Sequence, residues 1–253
     1  IQHRTPHFAV EIQTMRLNGR GEQAKAWPKE EGQKKRDAWV EQQIQAFDGD
    51  VEKAAALCWK KEPLLVAVVC TEREDWVAQV LGWGLPLELS DDLKRTALHH
   101  AVQRESTGII QRLLNAGANL QAQDGNHNTP LHFAAQVNWE NHVALLIEQG
   151  ADLEATTLLD QTTPLVDAAR MSLESAEVLL ARGANVNTQS KHGETPLIAA
   201  VVGGNPKAVP VLLAHGADPN HVDGQGFPVL WHALLRTEHL TLSLIHISEP
   251  TRH

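Results

Sequence analysis

The sequence predicts an all-α solenoid: helix–turn–helix units stacked side by side, with β-turn loops protruding between them. Three observations carry that prediction. A short phrase recurs, as "RTALHHAV" from Arg95, "NTPLHFAA" from Asn128, "TTPLVDAA" from Thr162 and "ETPLIAAV" from Glu194. A second phrase recurs between the copies of the first and holds Gly117, Gly150, Gly183 and Gly216, each 33 residues from the next, with Gly84 one step earlier. Leucine pairs precede the glycines: Leu113 and Leu114, Leu145 and Leu146, Leu179 and Leu180, Leu212 and Leu213. A catalytic loop normally occurs once. A phrase that occurs four times with a period in this range is architecture.

Each unit follows from local chemistry. The Thr–Pro step starts a helix, because the Thr hydroxyl can cap free backbone N–H groups and Pro fits the first helical position. Leu131 to Gln136, "LHFAAQ", forms the first helix of its unit; the polar break "VNWEN" leads into a second, "HVALLIEQ". Gly150 ends that helix by entering the left-handed region. Helices this short do not stand alone in water, so stacking must bury their faces. Ala134, Ala135, Ala168 and Ala169 let first helices approach closely, and the leucine pairs supply a continuous core.

Thr129, Pro130, Leu131, His132 and Ala134 together spell a pattern that resembles the ankyrin repeat, T-P-L-H-x-A. Thr195, Pro196 and Leu197 match with Ile198 in the His place; Thr163, Pro164 and Leu165 match with Val166 there; Thr96, Leu98 and His99 match with Ala97 for Pro. The resemblance covers about Glu62 to Leu235. The copy near Pro63 lacks Thr and His, and the copy from Phe227 reads "FPVLWHALL". The turn before Thr163 is one residue longer, and only "MSLES" separates the helices that follow it. The expected organisation is a disordered polar leader over 1–36, a helical cap or degenerate repeat over 37–61, about five repeats and a truncated sixth over 62–240, and a tail from 241. Trp39, Ile44, Phe47, Leu57 and Trp59 would form the apolar face of the cap. Leu242 to Arg252, "LSLIHISEPTR", resembles a translated sequencing-library adapter, so the tail is expected to be artefactual and the chain a piece of a longer protein.

Composition narrows the function. Formal net charge is −9, from 22 Lys and Arg against 31 Asp and Glu, which argues against a nucleic-acid footprint. The leader 1–36 is basic and includes "KKR" at Lys34 to Arg36; the remainder is acidic. A net acidic balance gives a mild preference for basic partner surfaces. Cys58 and Cys70 belong to no metal-ligand pattern and are expected as buried small hydrophobes in a reducing, intracellular compartment, the cytoplasm or the nucleus. No stretch is apolar and long enough to span a membrane.

The chemistry-bearing residues read as structure. The resemblance places His99 and His132 where the first helix bonds to a neighbouring turn. His127, His192 and His221 lie in turns a repeat or more apart, whereas the ligands of one metal all lie ~2 Å from it. There is no Walker loop and no G-x-S-x-G nucleophile elbow. No cofactor, metal site or catalysis is expected of this segment. What remains is recognition of another protein by a monomeric scaffold, through turn tips and the exposed face of the first helices, as the resemblance implies. The tip candidates are Asn126, His127, Asn128, Asp160, Gln161, Lys191, His192, Glu194, Asp223 and Gln225. The groove candidates are His100, Arg104, Gln136, Asn138, Arg170 and Met171. Trp139, in the polar break, is either an exposed anchor or a local packing residue. The alternative is that the stack selects substrates for an enzyme whose catalytic domain lies outside this segment.

Overall fold

A computed structural model of the chain describes residues 29–235 apart from 105 and 138. The expected tail from 241, most of the leader and the candidate Asn138 therefore lie outside the described residues. Five helix pairs and the first helix of a sixth stack in sequence order. The pairs are α3 (Leu64–Val69) with α4 (Glu74–Leu81), α5 (Ala97–Val102) with α6 (Thr107–Asn115), α7 (Pro130–Gln136) with α8 (Glu140–Glu148), α9 (Pro164–Met171) with α10 (Leu173–Ala181), and α11 (Pro196–Gly203) with α12 (Ala208–Ala214). The last described helix is α13 (Val229–Leu235). They are preceded by α1 (Lys29–Ala46), α2 (Val51–Ala55) and a two-stranded hairpin, β1 (Cys58–Trp59) with β2 (Glu62–Pro63).

The leucine pairs divide their labour. Leu113, Leu146, Leu179 and Leu212 are fully buried, whereas Leu114, Leu145 and Leu213 pack half-buried against the same core. On the first helices Ala134, Ala135, Ala168, Ala169, Ala199 and Ala200 are all buried. Small side chains bring neighbouring first helices together, and from α7 to α11 these pack more extensively than the second helices do. That imbalance is what a stack curved towards its first helices, as the resemblance implies, requires.

The last four second helices close the same way. The N–H groups of Ala118, Ala151, Ala184 and Ala217 bond back to the carbonyls of Leu113, Leu146, Leu179 and Leu212, each at 3.0 Å. This Schellman closure needs a left-handed residue between, and Gly150, at φ +94°, supplies it. A Cβ on Gly150 would meet no atom within 4 Å, so backbone conformation alone demands glycine there. The outgoing segments are laced together. Glu88 accepts from the Asn119 N–H and Glu154 from the Asn185 N–H, both at 2.8 Å, while the Asn187 side chain donates to the Gly216 carbonyl at 3.0 Å.

The amino-terminal region differs from expectation in two ways. The first helix begins at Lys29, so it crosses the boundary expected at 36/37. Arg36 sits on it, donating to Glu62 of the hairpin at 3.3 Å, and Val40 is its buried anchor. Trp39 packs on Trp59 at 5.4 Å between ring centroids, and Phe47 stacks on Trp83 at 3.8 Å. Cys58 is exposed, contrary to the expected buried thiol, because in strand β1 it takes the solvent-facing place while Trp59, its neighbour, packs against the core; Cys70, at the end of α3, is buried as expected.

Candidate functional site

Every tip is built on one oxygen. Asp91 Oδ1 accepts from the Leu93 and Arg95 N–H groups at 2.9 Å, and Asp124 Oδ1 from Asn126 and Asn128 at 2.8 Å. Thr157 Oγ1 accepts from Thr162 at 3.1 Å, Ser190 Oγ from His192 and Glu194 at 3.2 and 3.1 Å, and Asp223 Oδ1 from Gln225 and Phe227 at 2.9 Å. These five residues are spaced 33 apart. Sequence reading by residue identity misses them, because Asp, Thr and Ser differ in name but share an acceptor that closes a short turn. The third of these tips closes from Thr157 to Thr162, one residue more than its neighbours, as the sequence indicated.

Adjacent tips bond backbone to backbone. Gly125 N–H donates to Leu93 O at 2.8 Å, Leu158 to Asn126 at 2.9 Å, Lys191 to Asp160 at 2.7 Å and Gly224 to His192 at 2.8 Å. The last step leaves no room for a side chain: a Cβ on Gly193 would lie 2.5 Å from the Gly224 nitrogen. The tips are thus a continuous rim rather than independent loops.

Behind the rim, two histidines lock consecutive units. His132 Nδ1 accepts from the Thr129 N–H at 3.1 Å, so Nε2 carries the proton and donates to the Thr162 carbonyl at 3.2 Å. His99 repeats this with Thr96 and Asn128, both at 3.1 Å. Burial holds both imidazoles below their ordinary pKa, hence neutral. This is the neighbouring-turn bonding that the family resemblance implied.

His100 is a correction. It was expected on the groove surface, but it is buried, donating from Nε2 to Asp91 Oδ2 at 3.0 Å with Cys70 Sγ 3.9 Å from Nδ1. Thiol, imidazole and carboxylate stand in the order of a nucleophile, a base and its orienting acid. The chemistry does not follow, because Cys70 is 3 % exposed and burial pushes its thiol pKa up. Burial also brings His100 down to about 4, against the opposing pull of Asp91. Burial would raise Asp91, yet the bonds from Arg95 and His100 outweigh it and hold the carboxyl at about 2. The three form a structural network. His232 and Asp223 repeat the pair at 3.1 Å in the last described repeat.

The other candidates fall into two groups. Several belong mainly to the scaffold: Asn128 ties to Asp124, Asp223 organises its own tip, and Arg170 grips both carboxylate oxygens of Glu194 at 2.7 and 2.8 Å. Trp139 is half-buried, edge-on to His142 at 4.9 Å, while His142 donates to Val102 O at 3.3 Å; it packs locally. Fully presented on the rim are Asn126, His127, Gln161, Lys191, His192 and Gln225, with Asp160 half-buried between them. His127 and Gln161 are held at positive φ, which fixes where their side chains leave the turn. Of the candidates on or just after the first helices, Met171 is 64 % exposed, Gln136 is exposed and donates to Asp167 at 2.9 Å, and Arg104 is half-buried. Leu158 and Leu159 are exposed on the longer tip, a pair missed by a search for polar tip residues. Among the described residues no three His, Cys, Asp or Glu side chains gather as a metal site, and no helix is long and apolar enough to cross a membrane.

The model of the family described as Ankyrin repeats (3 copies) matches residues 64–157 and 154–223, more than half of the chain. The chain belongs to the ankyrin-repeat family. No curated protein matches it. Ankyrin repeats generally mediate protein–protein interaction and are typically non-catalytic binding modules. The matched segments hold the five helix pairs and the tips between them.

Proposed function

We propose that this chain is a protein-recognition module that binds its partner across the tip rim and the concave floor, without catalysis in this segment. The supporting observation is the continuous backbone bonding between tips, which pre-orders a long surface before any partner arrives. A pre-ordered surface avoids much of the ordering cost of association. Met171 and the Leu158–Leu159 pair offer apolar area on that surface, with the polar side chains of Asp160, Lys191 and His192 beside the leucines. Apolar anchors within a polar rim are the usual anatomy of an interface. We place the protein inside the cell, acting as a monomer.

The test is partner capture from the source cells with Met171→Glu and Leu159→Glu, against Glu177→Ala on α10 as a control from outside the concave surface. The proposal expects both Glu variants to lose the partner and the control to keep it. Capture unaffected by either Glu variant would contradict it.

A further inference from the structure

Each described tip turns on a residue at positive φ. Lys61 (φ +74°), Lys94 (φ +59°), His127 (φ +60°), Gln161 (φ +52°), Gly193 (φ +72°) and Gly226 (φ +84°) hold that place in six successive tips, the first being the β1–β2 hairpin. The turn is the same whichever residue holds it: the N–H groups of Lys94, Gly193 and Gly226 donate to Asp91, Ser190 and Asp223 carbonyls at 2.9 Å, and that of His127 to Asp124 at 3.1 Å. Left-handed backbone suits glycine and costs any other residue energy. Gly226 shows what this turn selects on conformation alone, since a Cβ there would meet nothing within 4 Å. The first four tips nevertheless keep a side chain.

Packing does not explain these four. All are exposed. Lys61 meets Asp92 at 2.7 Å, but the two side chains are 77 % and 59 % exposed, and such a pair adds little stability. Lys60, beside it at φ +47°, differs because its ammonium rests over the Trp59 ring at 5.7 Å. Backbone strain that answers no packing need points to function. The strain here also aims the side chains along one line. The Gly125–Leu93 and Leu158–Asn126 backbone bonds hold the tips of Lys94, His127 and Gln161 to one another, and Lys61 reaches the second tip through Asp92. All four side chains end in N–H donors, and none is acidic. Asp92 neutralises Lys61, so the row selects by hydrogen bonding rather than by net charge.

We propose that Lys61, Lys94, His127 and Gln161 are the residues with which the first four tips read the partner protein, each donating to an acceptor oxygen on its surface. The assignment rests on the rim being the recognition surface, and it extends that surface to the hairpin and to the tip of Lys94. The four side chains destabilise the free chain slightly and are retained for the complex. Glycine at each position relieves the turn and removes the contact, so stability and binding move in opposite directions.

The experiment uses the full chain carrying Lys94→Gly, His127→Gly and Gln161→Gly, singly and together. Thermal unfolding comes first and needs no partner. Each substitution should raise the midpoint by ~2 °C, and Gly226→Gln should lower it by a similar amount. A lower midpoint in the glycine variants, or none of the expected loss in Gly226→Gln, would overturn the proposal, because the side chains would then serve the fold. The partner captured by the wild-type chain is next purified, labelled and titrated against each variant by anisotropy. The triple variant should bind it at least about tenfold more weakly, since three hydrogen bonds are lost. Equal binding by the triple variant and wild type would also overturn the proposal. If the triple variant binds normally while Met171→Glu and Leu159→Glu fail, this assignment falls and the recognition reading stands. If all of them bind normally, the recognition reading falls with it.

Discussion

The repeats of α5–α6 and α7–α8 lock their first helices with a buried histidine; those of α9–α10 and α11–α12 fill the same place with Val166 and Ile198. The backbone is alike in both halves. In the first, each lock is a polar bridge reaching one unit ahead, from His99 to Asn128 and from His132 to Thr162. In the second, the place is purely apolar, and Thr163 Oγ1 is left buried without a hydrogen-bond partner. One scaffold position thus accepts two solutions. They give similar burial but different sensitivity to protons.

The largest expected effect breaks the polar solution. His132→Ala removes a fully buried ring, frees the Thr129 N–H and orphans one bond of the Thr162 carbonyl. Cavity and lost bonds together should cost ~3 kcal/mol in equilibrium unfolding. A change under ~1 kcal/mol would show that the bridge contributes little.

Acid should separate the halves next. His99, His100 and His132 are buried and neutral, with folded pKa values below the ordinary 6.5. The unfolded chain takes up protons at about pH 6.5 and the folded chain resists, so their contribution is intact above that pH and is lost as it falls. Asp91 acts later: its folded value of about 2 lies below its ordinary 3.8, so that contribution weakens only between those values. Hydrogen exchange between pH 6.5 and 4 should therefore show protection falling first in α5 and α7, with α9 and α11 following. The reverse order would break the comparison.

Val166→His sharpens it from the other side. The imidazole would give Thr163 Oγ1 a partner and could reach the Glu194 carbonyl, as its counterparts reach Asn128 and Thr162. Stability near neutral pH should rise by ~1 kcal/mol, with new acid sensitivity in α9. Gly150→Ala, common to both solutions, should cost ~1 kcal/mol through its positive φ alone. Lys61→Ala should leave the unfolding midpoint unchanged, since its pair with Asp92 is solvent-exposed.

Much of this was legible in the sequence, for physical reasons. Gly84, Gly117, Gly150, Gly183 and Gly216 all have positive φ, and a position that demands glycine repeats by name. The buried leucines and the Thr–Pro starts repeat likewise. The tip acceptors did not, because any short side-chain oxygen serves, and Asp91, Thr157 and Ser190 look unrelated as letters. His100 was misplaced because its burial depends on Asp91, which becomes its neighbour only when the tip folds back. Cys58 was misplaced because its hairpin carries none of the usual turn residues; Lys60 and Lys61 are forced to positive φ instead. The surface was the least legible part. Exposed positions are free of the period, and only the structure tells Met171, open on the floor, from Arg170, clamped beside it to Glu194.

The most direct test of the central claim is a footprint. A photo-crosslinking residue is placed singly at Gln136, Met171 and His192 on the concave and rim side, and at Glu177 and Arg112 on the second helices, and each protein is irradiated with its captured partner. The recognition reading predicts crosslinks from the first three positions and none from the other two. Crosslinks confined to Glu177 and Arg112 would contradict it.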